Sequence, residues 1–322
     1  METTTTPHPA SSPKIPVLST DELETPPLSL GQLTWRRFRR HKMAIVGSIV
    51  LIALLLYATL GVIFYSEKDA NFTNTKARLN SPSAEHPFGT DSVGRDILAR
   101  TIYGGQISIL IALTAVFVEV SVGVTIGAMS GFYGGKLDSF LMRITEAVLI
   151  VPQIFLLLVM AKFFGDKIGN WTVFGRTFSG SVVVIVLIIG LTSWPYLARI
   201  VRAQFLSLKE NEFILAARAT GTSRTQIIFR HILPNSIAPI AVAATLGVAS
   251  AITLEAYISF LGMGVRAPTA TWGNMLEGAY NYIETAWWLW FFPGILMTLT
   301  VLSINFIGDG LRDALDPRSR TV

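Results

Sequence analysis

The sequence predicts an all-α polytopic membrane protein with about six transmembrane helices. Hydrophobic residues make up 51% of the 322 residues and charged residues only 15%, whereas soluble proteins carry about 25% charge. An apolar run needs roughly 20 residues to cross a bilayer. Six runs are long enough, at about 43–65, 106–130, 142–164, 181–201, 236–261 and 287–308. Because lipid offers the backbone no hydrogen-bond partner, we expect every run to be helical.

The N-terminal region is polar and then basic. Residues 1–28 are rich in Thr, Pro and Ser, which predicts a disordered tail. Residues 29–65 predict an amphipathic helix followed by the first span. In that helix Leu33 and Phe38 can face the bilayer while the arginines reach lipid headgroups. A simpler interpretation, that the basic residues only set the topology, stays open beside it.

Glycine and proline mark the ends and kinks of the remaining spans. The second run is bounded by the pairs Gly104–Gly105 and Gly134–Gly135, so residues 66–105 are predicted to form an extracytoplasmic segment. Pro152 interrupts the third run and Pro293 the sixth. We expect both to be tolerated as kinks, because neighbouring helices can cover the carbonyl groups that proline leaves free.

The distribution of Lys and Arg predicts the orientation. With the N-terminus inside, 17 of the 26 basic residues fall in inner segments and nine in outer segments. The cluster at residues 36–42, immediately before the first span, is the strongest signal. Both termini, including a tail at 309–322, are therefore expected in the cytoplasm. Nucleic-acid binding is a poor explanation for the net charge of +5, because the basic residues adjoin membrane spans.

The sequence contains none of the residue patterns that indicate a catalytic, nucleotide-binding or metal-binding site. It contains no cysteine and no G-x4-G-K-[ST] phosphate loop, since Gly135-Lys136 is followed by Leu137. The four histidines are scattered, without the spacing of a metal site. We therefore expect no catalytic residues, no metal site and no bound cofactor in this chain.

The polar segment 208–235, between the fourth and fifth runs, carries a motif. It resembles the coupling loop of ATP-binding-cassette (ABC) importer permeases, written EAA-x3-G-x9-I-x-LP. Five residues stand at the motif's positions: Ala216, Ala217, Gly221, Leu233 and Pro234. Leu215 replaces the usual Glu and His231 the usual Ile. The loop docks by shape, so the missing Glu removes no chemical step.

Four further blocks strengthen the resemblance. They are HPFGTDSVGRDILAR from residue 86, GFYGGKLDSFLMRITEAVLIVPQ from residue 131, LEAYISFLGMGVRAPTATWGNML from residue 254, and GDGLRDALDPR from residue 308. Together with the run WPYLARIVRAQF from residue 194 they are similar to the dipeptide, oligopeptide and nickel importer family. The long segment after the first span and the C-terminal block resemble its C-type permease subunit.

The resemblance implies a type I importer permease (MetI-like) architecture, with a core at 106–308 and a coupling loop at 205–234. It implies a heterodimer with a sister permease, two ABC ATPase subunits that bind ATP and Mg, and an extracytoplasmic solute-binding protein. The setting would be the plasma membrane of a prokaryote, with membrane lipid around the spans. The coupling residues would be Ala216, Ala217, Arg218, Gly221, Arg224 and Pro234.

Three acidic residues within the spans are candidates for a pore or gate. Charge is costly there, so such residues usually face the bundle interior or a partner. Glu146 can pair with Arg143 at i, i+3, which favours a structural role. For Glu255 a structural hydrogen bond near the outer gate is favoured over substrate contact. Glu119 either faces the pore or meets the sister subunit.

The cargo is not determined by the sequence. We expect peptide-like solutes, with nickel complexes or another small solute as the alternative, because the five blocks are common to both branches of the family. From a different class, an ATP-independent secondary transporter or a purely structural membrane subunit stays open. An ATPase partner, or uptake that persists without the chain, would separate these.

Overall fold

The computed structural model describes residues 29–165, 167–173 and 176–316. The predicted disordered tail at 1–28 and the last six residues lie outside that range. The helices are α1 Leu30–Phe38, α2 Lys42–Leu60, α3 Glu67–Asn71, α4 Ile97–Tyr133, α5 Gly135–Ile150, α6 Gln153–Phe164, α7 Ser181–Leu208, α8 Glu212–Ala219, α9 Arg224–Gln226, α10 Leu233–Asn235, α11 Ile237–Phe260, α12 Trp272–Leu276 and α13 Trp288–Leu315.

Shorter elements join them. Single 3-10 turns occur at Gly61–Ile63, Thr75–Ala77 and Ala279–Tyr282, and a π-helical turn at Ile227–Ile232 connects α9 to α10. Strands β1 Trp171–Val173 and β2 Arg176–Phe178 pair as an antiparallel hairpin between α6 and α7.

The prediction of about six membrane-spanning helices is confirmed. Five stretches are long and apolar enough to cross a bilayer: Lys42–Ile63, Ile97–Tyr133, Ser181–Leu208, Ile237–Phe260 and Trp288–Leu315. The pair α5 and α6 is long and apolar enough only when the two helices are taken together, which gives six spans if this bent pair counts as one. The protein is therefore an all-helical bundle apart from one small hairpin within the described residues.

The centre of the bundle is the contact between α4 and α7. Gly123, Gly127 and Gly131 stand one turn apart on α4 and face α7. A methyl group at Gly127 would lie 2.5 Å from the carbonyl oxygen of Ala198, so only glycine allows this approach. Small residues at this spacing let two membrane helices pack backbone to backbone. The two helices run parallel, since Gly190 meets Ala115 while Gly131 meets Phe205.

The N-terminal helix packs onto the end of the chain. In α1, Arg37 Nη1 donates to the carbonyl oxygen of Asp316 at 3.0 Å, and the ring of Phe38 lies against Gly310 of α13. His41 Nε2, just before α2, lies 3.6 Å from Asp313 Oδ2. The basic segment is thus held by the protein itself, in addition to any contact with lipid.

The second span begins earlier than predicted. The Asp96 side chain caps α4 by accepting from the amide of Ala99 at 2.8 Å, so Gly104 and Gly105 lie inside the helix and do not mark its start. A methyl group at Gly105 would lie 2.6 Å from the ring of Trp272. The glycines are there for a close approach, and α4 begins at Ile97. The other end is as predicted, because Gly134 and Gly135 have φ of +66° and +58°.

Proline acts differently in the third and sixth runs. Pro152 breaks the third run into two helices at 85° to each other, because the residue before it, Val151, is extended with φ −76° and ψ 124°. A tolerated kink was the wrong prediction there. Pro293 stays inside α13, near its start, and the helix continues to Leu315. Part of the predicted tail at 309–322 is therefore helical.

Candidate functional site

The polar segment at 208–235, called the coupling segment below, contains the short helix α8, which is held in place by one buried side chain. Ile214 of α8 is fully buried, in a cluster with Leu197, Val201 and Phe205 of α7 and with Ile227. Apolar residues of α4 pack against the same cluster. Movement of α8 would therefore be transmitted directly to the two helices at the centre of the bundle.

The rest of α8 is presented to solvent. Ala216, Arg218 and Ala219 are exposed and Ala217 is half-buried. The large apolar side chains Phe213 and Leu215 are 44% and 47% exposed. An apolar surface with small residues between larger ones suits docking into a groove, and it explains why Leu215 is acceptable where the motif has Glu.

The turn after α8 depends on glycine. The amide of Gly221 donates to the carbonyl of Arg218 and that of Thr222 to Ala217, both at 3.0 Å, which is a Schellman motif. Gly221 has φ +81°, and a side chain added there would meet no atom within 4 Å. The requirement for glycine is thus a backbone requirement and not one of space.

The chain returns to the membrane through irregular helix. Ser223 caps α9 together with Gln226, and the π-helical turn Ile227–Ile232 leads to Pro234. Pro234 is exposed and has no amide hydrogen to donate to the helix. In the described part of the chain, Arg218 and Arg224 are exposed and make no hydrogen bond or ion pair, so both guanidinium groups are available to a partner.

An ion pair that sequence reasoning missed fixes α7 near the coupling segment. Arg202 Nε and Nη2 donate to Asp138 Oδ1 and Oδ2 at 2.6 and 2.8 Å. Ser130 of α4 donates to the same carboxylate. Three helices meet at this bidentate pair. Asp138 and Arg202 both fall in the sequence blocks that carry the resemblance, but nothing in their spacing shows that they meet.

The three acidic candidates are not brought together. Glu146 lies on an exposed face of α5, where Arg143 Nη1 is 3.5 Å from its Oε2. Glu255 of α11 is 1% exposed and lies near the C-terminal end of that helix. Glu119 of α4 is 8% exposed and borders a central cavity.

Glu255 is bound by hydroxyl groups from three parts of the chain. Ser259 and Thr271 donate to its Oε1 at 2.7 and 2.8 Å, and Ser108 of α4 donates to Oε2 at 3.5 Å. The amide of Trp272 donates to Ser108 Oγ at 3.1 Å. This network ties α4, α11 and residues 271–272 at the start of α12 together, so Glu255 has its partners within the chain.

Glu119 has a different environment. It lines a cavity of about 360 Å³ between α4, α5, α6, α7 and α11. Its neighbours there include Gln153, Thr192, Ser193 and Ser250, and a methyl group at Gly247 would lie 3.2 Å from its Oε2. Leu254 lines this cavity while the adjacent Glu255 points away from it.

At the same end of the bundle as Glu255, two tryptophans form hydrogen bonds between distant parts of the chain. Trp288 Nε1 donates to the carbonyl of Thr90 at 3.1 Å and Trp272 Nε1 to that of Thr101 at 2.9 Å. Phe292 stacks on Phe88 with ring centroids 3.9 Å apart. Trp288 is therefore buried within the protein. Among the described residues no group of three or more His, Cys, Asp or Glu is placed to hold a metal.

Comparison with known proteins gives consistent matches over nearly the whole chain. Residues 123–321 match the model of the binding-protein-dependent transport system inner membrane component. Residues 29–82 match the N-terminal transmembrane domain of oligopeptide transport permease C.

Named relatives are similar over comparable lengths. The dipeptide transport system permease protein DppC of Alkalihalophilus pseudofirmus is 39% identical over 311 residues, covering 94% of this chain and 97% of the relative. The oligopeptide transport system permease protein OppC of Haemophilus influenzae is 39% identical over 306 residues, covering 93% and 92%. A Brucella suis protein named as a candidate peptide permease is 43% identical over 297 residues, covering 91% and 93%.

The fold also matches a solved structure. A chain of the MetNI methionine ABC transporter, in an inward-facing conformation, superposes with a TM-score of 0.53 at 22% identity, over 68% of this chain and 98% of that one. This supports the MetI-like architecture. The protein therefore belongs to the family of inner-membrane components of binding-protein-dependent transport systems, as a multi-pass C-type permease of an ABC importer.

Proposed function

We propose that this chain is the C-type permease subunit of an ATP-driven importer for di- or oligopeptides. One observation carries the peptide assignment. Permeases named for dipeptide and for oligopeptide transport are each 39% identical to this chain over more than nine-tenths of its length. Their cargo is transferred here as part of the proposal.

The exposed face of α8 supports coupling to a separate ATPase. It combines apolar side chains, small residues and a glycine turn with two unpaired arginines, and its buried side joins α4 and α7. The complex would contain a sister permease, two ATPase subunits that bind ATP and Mg, and an extracytoplasmic binding protein. This chain would hydrolyse no ATP itself and would have both termini in the cytoplasm, in line with its basic inner segments.

A deletion strain tests the cargo. Cells without this chain should lose uptake of labelled di- and oligopeptides, and the wild-type chain should restore it, while uptake of free amino acids is unchanged. Unchanged peptide uptake together with a collapse of nickel-dependent enzyme activity would replace peptides with nickel complexes.

The energy source needs its own test. The purified chain should hydrolyse no ATP until ATPase subunits are added. Peptide uptake that persists in cells lacking those subunits would instead indicate an ATP-independent transporter.

A further inference from the structure

Glu119 and Glu255 are both buried acidic residues in spans, yet only Glu255 has partners. Within residues 29–165, 167–173 and 176–316, no hydrogen bond or ion pair reaches the Glu119 carboxylate, although the residue is 8% exposed. The carboxylate oxygens are not among the fully buried side-chain atoms that lack a partner in the described residues, so they open onto the adjacent cavity. An acidic residue in a membrane span usually faces the bundle interior or a partner, and here a ligand in the cavity can reach it.

The cavity beside Glu119 can accept such a partner. Its volume of about 360 Å³ accommodates a small solute. Glu119 is the one acidic or basic side chain among the described residues that line it. Hydroxyl and amide groups of Thr192, Ser193, Gln153 and Ser250 share the wall. Because no basic side chain lines the cavity, its field favours a cation.

The position along the helices places this cavity far from the ends of α4 and α11. Glu119 lies 22 residues after the start of α4 and 14 before its end. At about 1.5 Å per residue this is roughly 20 Å or more from either end. Gly247, which leaves room beside the carboxylate, is likewise near the middle of α11. A second cavity of about 310 Å³ shares Gln153 and Ser250 with the first.

We propose that Glu119 receives the ammonium group of the cargo within the central cavity during translocation. This rests on the proposed function, because the α-ammonium of a peptide is the cation that a peptide importer must carry. The neighbouring hydroxyl and amide groups can exchange hydrogen bonds with the peptide backbone. The contact has to be strong enough to admit the solute and weak enough to release it.

The first test does not depend on the cargo. The chain contains no cysteine, so Ser250→Cys places a single thiol in the cavity of the assembled complex in nanodiscs, with partner-subunit cysteines replaced. The rates of thiol modification by a cationic (trimethylammonium) and an anionic (sulfonate) methanethiosulfonate are compared. The cation-to-anion ratio should fall about five-fold in Glu119→Gln, because a nearby unit charge is removed.

Glu284→Gln, which removes an exposed carboxylate from the loop before α13, is the matched control and should leave the ratio unchanged. Equal ratios with Glu and with Gln at position 119 would overturn the proposal.

The second test uses transport. In proteoliposomes with saturating binding protein, Glu119→Gln should lower uptake of Ala-Ala while uptake of N-acetyl-Ala-Ala stays unchanged. Equal uptake by the variant and the wild type, or a parallel fall for both peptides with loss of the co-purified sister permease, would overturn the proposal. The latter result would make Glu119 an interface residue. If the wild type takes up neither peptide, the proposed function fails, and the thiol-modification ratio decides the cation site by itself.

Discussion

The Glu255 end of the bundle and the region around Glu119 and α8 differ in how their polar groups are paired. At the first, Glu255 accepts hydrogen bonds from three hydroxyl groups, and both Trp272 and Trp288 donate to backbone carbonyls. In the second, Glu119 borders a cavity and accepts no hydrogen bond from the described residues, and the arginines of α8 and α9 are exposed. The Glu255 network therefore has its partners within one chain, whereas the second region leaves groups available to other molecules.

This difference separates residues that hold the fold from residues that carry function. A substitution in the Glu255 network should lower the stability of the fold and therefore reduce every activity to the same extent. Substitutions in the central cavity or on α8 should leave the protein folded and change transport. The following predictions test that separation, from the largest expected effect to the smallest.

Glu255→Ala should have the largest effect on stability. It leaves the hydroxyls of Ser259 and Thr271 without an acceptor in a buried site, at a cost of about 3 kcal/mol. The measurement is the thermal unfolding midpoint of the purified complex in detergent. Glu255→Gln is the control, because it retains an acceptor oxygen and should lose about 1 kcal/mol. Equal midpoints for Ala and wild type would show that the network contributes nothing.

Gly221→Val should impair transport more than folding. Valine at φ +81° is strained by about 1–2 kcal/mol, and the strain falls on the turn that ends α8. We expect normal amounts of chain in the membrane, weak peptide uptake and altered ATPase stimulation. Gly221→Asn should behave nearly like wild type, since Asn tolerates a left-handed backbone.

Gly169→Val serves as the control for added bulk. That glycine is also exposed but has no positive φ, so uptake should be unchanged. Normal uptake with Val at 221 would mean that the turn is a passive spacer.

Arg202→Lys should have a smaller effect, about 1 kcal/mol of stability together with reduced uptake. Lysine cannot make the two parallel hydrogen bonds that Arg202 gives Asp138. Thermal unfolding of the complex measures the first effect. Arg143→Lys, in the exposed pair with Glu146, is the matched control and should change stability by less than about 0.5 kcal/mol. The same loss at both positions would show that the Arg202 geometry is unimportant.

Properties set by local composition could be predicted from the sequence. Apolar runs of sufficient length identified the spans, and Gly134 and Gly135 identified the end of α4. The polar segment at 208–235 was recognised as a loop between two spans, and its exposed helix α8 lies there. These features depend on the chemistry of a few adjacent residues.

Features that depend on distant residues could not be predicted. Gly104 and Gly105 predict a helix end unless Trp272 is known to pack on them. The Asp138–Arg202 pair joins residues 64 positions apart. Pro152 indicates a kink, but the spacing of residues around it does not give the 85° angle between the two helices. The contrasting surroundings of Glu119 and Glu255 likewise emerge only when the helices are assembled.

Crosslinking from α8 tests the central claim most directly, that this surface is left open for an ATPase. Ala219→Cys gives a single thiol on the exposed face, which is labelled with a benzophenone maleimide in membranes and irradiated. The account predicts a crosslinked product with the ATPase subunit from position 219 and none from Glu284→Cys in the loop before α13. Failure to obtain that product from position 219 in an assembled, transport-active complex would contradict it.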